Sequence, residues 1–221
     1  MKSQPNQQEH RMKAVPVVIV LAAGAGTRFA GQSHKLAQSF GHSTVLGTTL
    51  AQVVASHLPA VVVTTRALRE VAHGWVAAQD VIEVPEAGPG SPQLGMGYSI
   101  AAGVRARGDA PGWLVLPGDM PLVKASTLRA VAAALQHHPV AYAQHFGRRG
   151  HPVAFSGELF SELATLTGDE GARRIVARYP AAAVEVQDPG VLMDLDTQAD
   201  LHRLRQAHDA PPAAVQQVSG S

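Results

Sequence analysis

Residues Val15 to Val20 form an apolar run that leads into Leu21-Ala22-Ala23-Gly24-Ala25-Gly26-Thr27-Arg28, with Lys35 just beyond. A continuous apolar run with no polar alternation reads as a strand buried on both faces. Such strands belong to parallel sheets covered by helices on each side. This one runs straight into a loop of small residues. Gly24 and Gly26 tolerate φ > 0 and leave no side chain between the backbone amides and an approaching ligand, so N–H groups can close on phosphate oxygens. Arg28 and Lys35 add the positive charge that neutral amides lack. A buried strand that ends in such a loop is a site for a nucleoside triphosphate.

Two commoner phosphate motifs do not fit. A Walker loop needs Gly-x-x-x-x-Gly-Lys-Ser/Thr, and here Gly26 and Gly31 are followed by Gln32 in place of the lysine. A dinucleotide fingerprint needs a third glycine where this chain has Phe29, and an acid about twenty residues on to hold a ribose. No Asp or Glu lies between Glu9 and Glu70, a stretch that carries Arg11, Lys13, Arg28, Lys35, Arg66 and Arg69. The local field suits a polyanion rather than a ribose-reading dehydrogenase site.

Composition narrows the class further. A chain of 221 residues is one domain with tails and is long enough for a proper core. A net charge of +1 gives no basic excess for nucleic acid. The absence of cysteine removes disulfides, thiolate catalysis and Cys-based zinc sites, and fits a reducing compartment. Lys2, Arg11 and Lys13 ahead of the apolar run imitate a secretory signal. That polar lead is too long, however, contains Glu9, and gives onto an apolar run that ends inside a cationic loop. No apolar run approaches a membrane span. A cytoplasmic protein with no membrane association is expected.

Residues 1–14 and 208–221 are polar and read as disordered tails around a domain at 15–207. Strands are expected at Val15–Leu21, Ala60–Thr64, Val81–Val84, Trp113–Pro117, Val140–Gln144, Val153–Phe155 and Ala182–Val186. Helices are expected at Thr44–His57, Arg66–Gln79, Met96–Arg107, Lys124–His137, Ser156–Leu163, Asp169–Tyr179 and Thr197–Gln206. Thr44 and Thr197 sit as N-caps, and Pro59 and Pro180 follow helix ends. The alternation predicts an α/β fold: a single Rossmann-like three-layer domain, its mostly parallel sheet flanked by helices on both faces. Phe146-Gly147-Arg148-Arg149-Gly150 reads as a hairpin loop, which makes the sheet mixed.

The strand Trp113–Pro117 ends in Gly118-Asp119-Met120-Pro121, and in open α/β sheets ligands bind at the carboxyl ends of strands. If this strand neighbours the first, Asp119 faces the phosphate loop. A carboxylate there either meets the phosphates through a cation such as Mg²⁺, which favours one or two carboxylates plus phosphate oxygens and water, or merely starts a turn. Met193-Asp194-Leu195-Asp196-Thr197 alternates acid and apolar residues, so an extended segment points both carboxylates one way. Those acids serve either cation binding or the solvation of a helix start, and Asp200 belongs to the second role. Ser99 sits where Gly95–Gly103 feeds a helix N-terminus, a place for an anion or for simple capping. Gly97-Tyr98-Ser99-Ile100-Ala101 half-matches a hydrolase nucleophile elbow but lacks the strand such an elbow requires.

Taken together, Leu21–Arg28 with Lys35, Gly118–Pro121 and Asp194–Thr197 resemble the nucleotidyltransferases that mature the molybdenum cofactor. Gly95–Gly103, Arg149-Gly-His-Pro-Val153 and Thr167-Gly-Asp-Glu-Gly-Ala-Arg173 are most similar to the cytidylyltransferase branch. The resemblance spans Val15 to Arg205 with the six motifs in order. It implies a domain that binds CTP and Mg²⁺, transfers CMP to the terminal phosphate of the molybdopterin cofactor, and releases pyrophosphate. A client molybdoenzyme or its chaperone is the implied downstream partner. Carried over by position, Leu21, Ala22, Ala23, Gly24, Ala25, Gly26, Thr27, Ser99 and Gly118 hold the nucleotide. Arg28, Lys35 and Asp119 serve catalysis, and Asp119 and Asp196 ligate the metal, with Asp194 beside them. The Ala22-Ala23 pair matches the cytidylyl branch, where the guanylyl branch carries Ala-Gly-Gly. Arg149, His151, Asp169 and Arg173 lie on segments after the mid-chain strand, where they serve recognition of the pterin and its dithiolene or, for His151, a structural role. The chain departs from the family's Met-Gly with Phe29-Ala30-Gly31, and from its Asp-Gln-Pro with Asp119-Met120-Pro121. Three alternatives are a nucleotidyltransferase for a sugar phosphate or another small phosphorylated metabolite, a cofactor-delivering adaptor without chemistry, and a glycosyltransferase of similar fold.

Overall fold

A computed structural model describes residues 14–24, 29, 34–86 and 94–209. The chain begins with β1 (Val17–Ala22), a small hairpin of β2 (Ser39–Phe40) and β3 (Ser43–Thr44), α1 (Val45–Ala55) and β4 (Ala60–Thr64). Then come α2 (Arg69–His73), β5 (Val81–Glu83), α3 (Met96–Ala106), β6 (Gly112–Pro117) and α4 (Ala125–Ala134). The remainder is β7 (Val140–His145), β8 (Arg148–Ser156), α5 (Phe160–Leu163), α6 (Arg173–Arg178), β9 (Ala181–Glu185) and α7 (Gln198–Asp209).

Seven strands make one sheet in the order β5-β4-β1-β6-β8-β7-β9. Every neighbouring pair is parallel except those of β8, which runs antiparallel to β6 and β7. The result is a single α/β domain on a mostly parallel mixed sheet, as the strand–helix alternation predicts. Alternate residues of the central strands feed two cores. Val18, Val20, Leu114 and Leu116 pack with Leu46 and Leu50 of α1, Leu128 of α4 and Leu201 of α7. Val17, Ile19, Trp113 and Val115 pack with Ile100 of α3, Leu163 of α5 and Ile175 of α6 on the other face. Each such side chain contributes about 1.5–3 kcal/mol of transfer free energy, so an apolar run without alternation is what a strand between two cores requires.

Local signals explain the element ends. Thr44 caps α1, its hydroxyl accepting from Gly47 N at 3.0 Å. Thr197 and Asp200 form a reciprocal box at the start of α7. Asp200 N donates to Thr197 Oγ1 at 3.2 Å, and Thr197 N donates to Asp200 Oδ2 at 2.7 Å. Asp200 is therefore a capping residue, and the hydrogen bond from the Thr197 hydroxyl leads those that hold its carboxyl down at about 2. Gly103 lets α3 lie on β1, since a Cβ there would come within 2.5 Å of Ile19 Cγ2.

Several expected boundaries move. The predicted five-residue hairpin loop is only Phe146-Gly147, both at positive φ (48° and 72°), a two-residue turn whose twist matches its strands. Arg148, Arg149 and Gly150 belong to β8 instead. The helix expected over Arg66–Gln79 is a 3-10 turn, Arg66–Leu68, followed by α2, and it stops at Gly74. The helix expected from Asp169 starts only at Arg173, because Gly168 and Gly171 both adopt left-handed φ (65° and 58°). The one expected from Ser156 is a 3-10 turn, Gly157–Leu159, followed by a single turn, α5. Among the described residues, no helix is long and apolar enough to cross a membrane.

Candidate active site

The parallel register sets Leu21 of β1 beside Pro117 of β6, so both strands release their loops at the same edge of the sheet. Gly118 N donates to Leu21 O at 2.8 Å, and Thr49 Oγ1 of α1 donates to Gly118 O at 2.9 Å. A Cβ at Gly118 would stand 3.0 Å from Leu21 O, so this tight passage favours glycine and fixes where Asp119 emerges.

Lys35 lies on a 3-10 turn, Lys35–Ala37, and its ammonium reaches three oxygens. It donates to Asp119 Oδ2 at 2.6 Å, to Leu195 O at 2.8 Å and to Asp196 Oδ1 at 3.4 Å. Three residues far apart in sequence thus meet at one point, with Asp194 beside them. The other carboxylate oxygen, Asp119 Oδ1, is buried and has no hydrogen-bond partner among the described residues. Burial raises the Asp119 carboxyl above its ordinary value, the Lys35 ammonium opposes that rise, and the Asp194 charge adds to it.

His34 and Asp188 hold this cluster in place, and neither was singled out by sequence reasoning. Leu36 N donates to His34 Nδ1 at 3.2 Å, which leaves the Nε2 proton to donate to Gly24 O at 2.9 Å. One imidazole therefore ties the turn carrying Lys35 to the loop that follows β1. Asp188 is buried at 2 % exposure. It accepts from Thr127 Oγ1 at 2.6 Å, Lys124 N at 2.9 Å and Gly190 N at 3.1 Å. That carboxylate pins the 3-10 segment Pro189–Leu192, which leads directly to Asp194 and Asp196. The segment is also wedged between Gly150 and Leu122. A Cβ on Gly150 would fall 2.2 Å from Val191 O, and one on Gly190 would fall 2.3 Å from Leu122 O.

A cleft of about 700 Å³ opens over the cluster, lined by Ala23, Gly24, Lys35, Asp119, Asp194 and Asp196, with Tyr98 and Ser99 of α3, Arg148, Arg149 and His151 of β8, and Arg173 of α6. Its size falls within the range of small-molecule sites. Arg149 covers the Tyr142 ring at 4.6 Å from its centroid. Burial, then the Arg149 charge, push His151 down to about 4 against the pull of Asp194, so its imidazole is neutral at pH 7. The two motifs at Gly95–Gly103 and Thr167–Arg173 prove to be one contact. Gly97 N donates to Gly168 O at 2.8 Å, and a Cβ on Gly97 would approach Thr167 O to 2.6 Å.

The positions expected from sequence sort as follows. Leu21, Ala23, Gly24, Lys35, Ser99, Asp119 and Asp196 line the cleft, and Gly118 lies immediately beneath it. Ala22 does not face it. Its methyl group is fully buried in the core on the far side of β1, so of the Ala22-Ala23 pair only Ala23 lines the cleft. The amides of Gly97 and Ser99 are also committed, to Gly168 O and to Gly95 O at 3.2 Å, so Ser99 offers the cleft its side chain rather than a free amide. Phe29, at 7 % exposure, anchors in the core and touches the cleft. Ala25, Gly26, Thr27 and Arg28 lie outside the described residues.

The donor set suits a hard divalent cation. Among the described residues, no group of three or more His, Asp or Glu side chains is gathered to hold a metal. The buried, half-used Asp119 with Asp196 matches the Mg²⁺ habit of taking one or two carboxylates and completing its shell with phosphate oxygens and water.

A lysine and two carboxylates at the carboxyl edge of a mostly parallel sheet place the chain among nucleotide-binding α/β proteins. The chain belongs to the family described as the MobA-like NTP transferase domain, which it matches over residues 18–184. It is 34% identical over 120 residues to the purine catabolism protein PucB of Bacillus subtilis, covering 52% of this chain and 58% of PucB. To the bifunctional protein GlmU of Rhizorhabdus wittichii it is 31% identical over 168 residues, 76% of this chain and 35% of GlmU. The chain thus spans little more than half of the one relative and about a third of the other. Among solved structures, a homologue of Mycobacterium tuberculosis Rv0371c from Mycobacterium sp. strain JC1 superposes with a TM-score of 0.73 at 28% identity, covering 86% of this chain and 95% of that one. Rv0371c of M. tuberculosis in complex with manganese superposes with a TM-score of 0.67 at 26% identity, covering 87% and 99%.

Proposed function

We propose that the protein transfers CMP from CTP to the terminal phosphate of molybdenum-loaded molybdopterin and releases pyrophosphate. The observation that carries this reading is the convergence of Lys35, Asp119 and Asp196 in a cleft whose β8 and α6 walls present Arg148, Arg149 and Arg173. Such a cleft has carboxylates for a cation at one place and guanidinium groups for an anionic acceptor at another. The resemblance carried by the six sequence motifs supports this choice of acceptor and base.

The acceptor phosphate is already an anionic nucleophile, so no general base is needed, and catalysis reduces to positioning and charge neutralisation. Asp119 and Asp196 would hold the divalent cation, with Asp194 beside them. That ion, when bound, offsets charge on the α-phosphate and the departing pyrophosphate. A manganese complex of the related Rv0371c accords with this assignment. Lys35 would turn its ammonium to the triphosphate, with Arg28 beside it. Gly24 would give room for the phosphates, and Ala23 would lie against the base. Arg149, with Asp169 and Arg173, would orient the acceptor, and neutral His151 supplies hydrogen bonding there without charge.

The acceptor is the point on which a second reading competes. The guanidinium groups of Arg148, Arg149 and Arg173 would equally take a sugar phosphate or another small phosphorylated metabolite at the same site. Pyrophosphate release is the test, measured with Mg²⁺ and molybdenum-loaded molybdopterin against CTP, GTP, ATP and UTP in parallel. Release with CTP alone is expected. Release with GTP alone would overturn the base assignment, and silence with all four would overturn the acceptor.

A further inference from the structure

We propose that Lys35 is the resident counter-ion of the carboxylate pair, holding the ground between Asp119 and Asp196 so that a divalent cation binds together with the triphosphate rather than before it. This inference rests on the reading of those carboxylates as metal ligands.

An ammonium group has three donors, and those of Lys35 are directed at Asp119 Oδ2 (2.6 Å), Leu195 O (2.8 Å) and Asp196 Oδ1 (3.4 Å). The two side chains of the closer ion pair are 13% and 14% exposed, so water screens this charge poorly. A second cation drawn to the same carboxylates meets a like charge already on their oxygens. The remaining oxygen, Asp119 Oδ1, is buried with no partner among the described residues. The carboxylate thus has one oxygen held by a cation and the other left with capacity for a second.

Lysine fits this exchange. Its compact charge rides on a flexible four-carbon stem and is not locked into a bidentate fork as arginine would be. Triphosphate oxygens offer the ammonium stronger acceptors than a lone carbonyl. When it turns to them, it releases Asp119 and Asp196 in one movement. Nucleotide and metal affinities are then coupled through one side chain, and the coupling is reciprocal.

The test is Mn²⁺ binding to nucleotide-free protein, followed by the electron paramagnetic resonance signal of free Mn²⁺ at pH 7 and pH 8.5. Lys35→Met keeps the length and removes the charge. It should bind Mn²⁺ tighter than the parent by roughly tenfold or more. Lys35→Arg should stay as weak as the parent, and adding Asp119→Asn to Lys35→Met should erase the gain. Lys35→Gln provides the same comparison if Lys35→Met does not fold. Equal or weaker binding by the uncharged variants at both pH values overturns the inference, as does a gain that survives Asp119→Asn. Pyrophosphate release from CTP by the parent, without any gain in Lys35→Met, would sink the counter-ion role and leave the proposed function standing. A gain without release from any nucleotide would do the reverse.

Discussion

Replacing Asp188 with alanine should damage both stability and the site, although this residue touches no ligand. Its carboxylate accepts from Thr127 Oγ1, Lys124 N and Gly190 N at 2.6, 2.9 and 3.1 Å, in surroundings that leave it 2 % exposed. Asp188→Ala strands two backbone amides, while the Thr127 hydroxyl can rotate to another acceptor. Each stranded donor costs roughly 1–3 kcal/mol, and the lost packing of a buried side chain brings the total to about 3–7 kcal/mol. For a domain of this size that corresponds to a fall in Tm of roughly 10–20 °C. Asp188→Asn keeps one acceptor oxygen for Lys124 and Thr127 and fails only at Gly190, so it should lose about a third as much. The same carboxylate fixes the segment that delivers Asp194, Leu195 O and Asp196. A shift of that segment by even about 1 Å should slow turnover by roughly 10²-fold. Thermal unfolding by circular dichroism and pyrophosphate release from the surviving folded protein measure the two effects. An Asp188→Ala protein with a Tm near the parent's and undiminished turnover would refute the claim that this carboxylate supports the site.

Lys35→Ala and Asp119→Ala should each lower the rate of pyrophosphate release by roughly 10²–10³-fold with the circular dichroism spectrum retained; a near-normal rate would remove that residue from the site. His151 is held near 4 against an unfolded value of 6.5, so as pH falls from 6.5 to 4 the unfolded chain takes up a proton that the folded protein refuses. Stability from this group is complete above pH 6.5 and is lost progressively towards pH 4, by about 3 kcal/mol at most; urea titrations should show His151→Gln with a flatter acid limb, and an unchanged limb would contradict the burial argument. Gly97→Ala drives a methyl group to 2.6 Å from Thr167 O and should cost about 1–3 kcal/mol while weakening acceptor binding, seen as a rise in acceptor KM.

What could be read from sequence follows from which residues face two cores. Continuous apolar runs located β1, β4 and β6 to within two residues at each end, because strands buried on both faces cannot hide polar residues. The first half of β8 escaped, since Arg148, Arg149, Gly150, His151 and Pro152 carry no strand signature. Arg148, Arg149, Gly150 and His151 line the cleft, and Gly150 also lies against Val191, so their character is not that of a core strand. Turn glycines cut short the expected helix from Asp169, where composition alone gave no hint of their positive φ.

The site was legible where chemistry and strand ends coincide. Asp119 and Lys35 were found because each follows a recognisable element, and the sheet order set them together as expected of neighbouring strands. Asp188 and His34 were missed for a common reason. Each acts through partners distant in the chain or through backbone atoms, and an isolated Asp before Pro-Gly reads only as a turn. An alternation argument did foresee Asp194 and Asp196 on one side, and the structure places Leu195 between them at 0 % exposure while both carboxylates line the cleft. Sequence could not show that Ala22 turns into the core, which leaves Ala23 as the residue of the pair that lines the cleft.

The most direct test of nucleotidyl transfer follows the phosphorus atoms of CTP. Protein, Mg²⁺ and molybdenum-loaded molybdopterin are incubated with CTP labelled at the α-phosphorus or, separately, at the γ-phosphorus. The α label should appear in a cofactor dinucleotide and the γ label in pyrophosphate, in equal amounts. An α label that remains in CMP or CTP while the acceptor stays unlabelled would contradict the account.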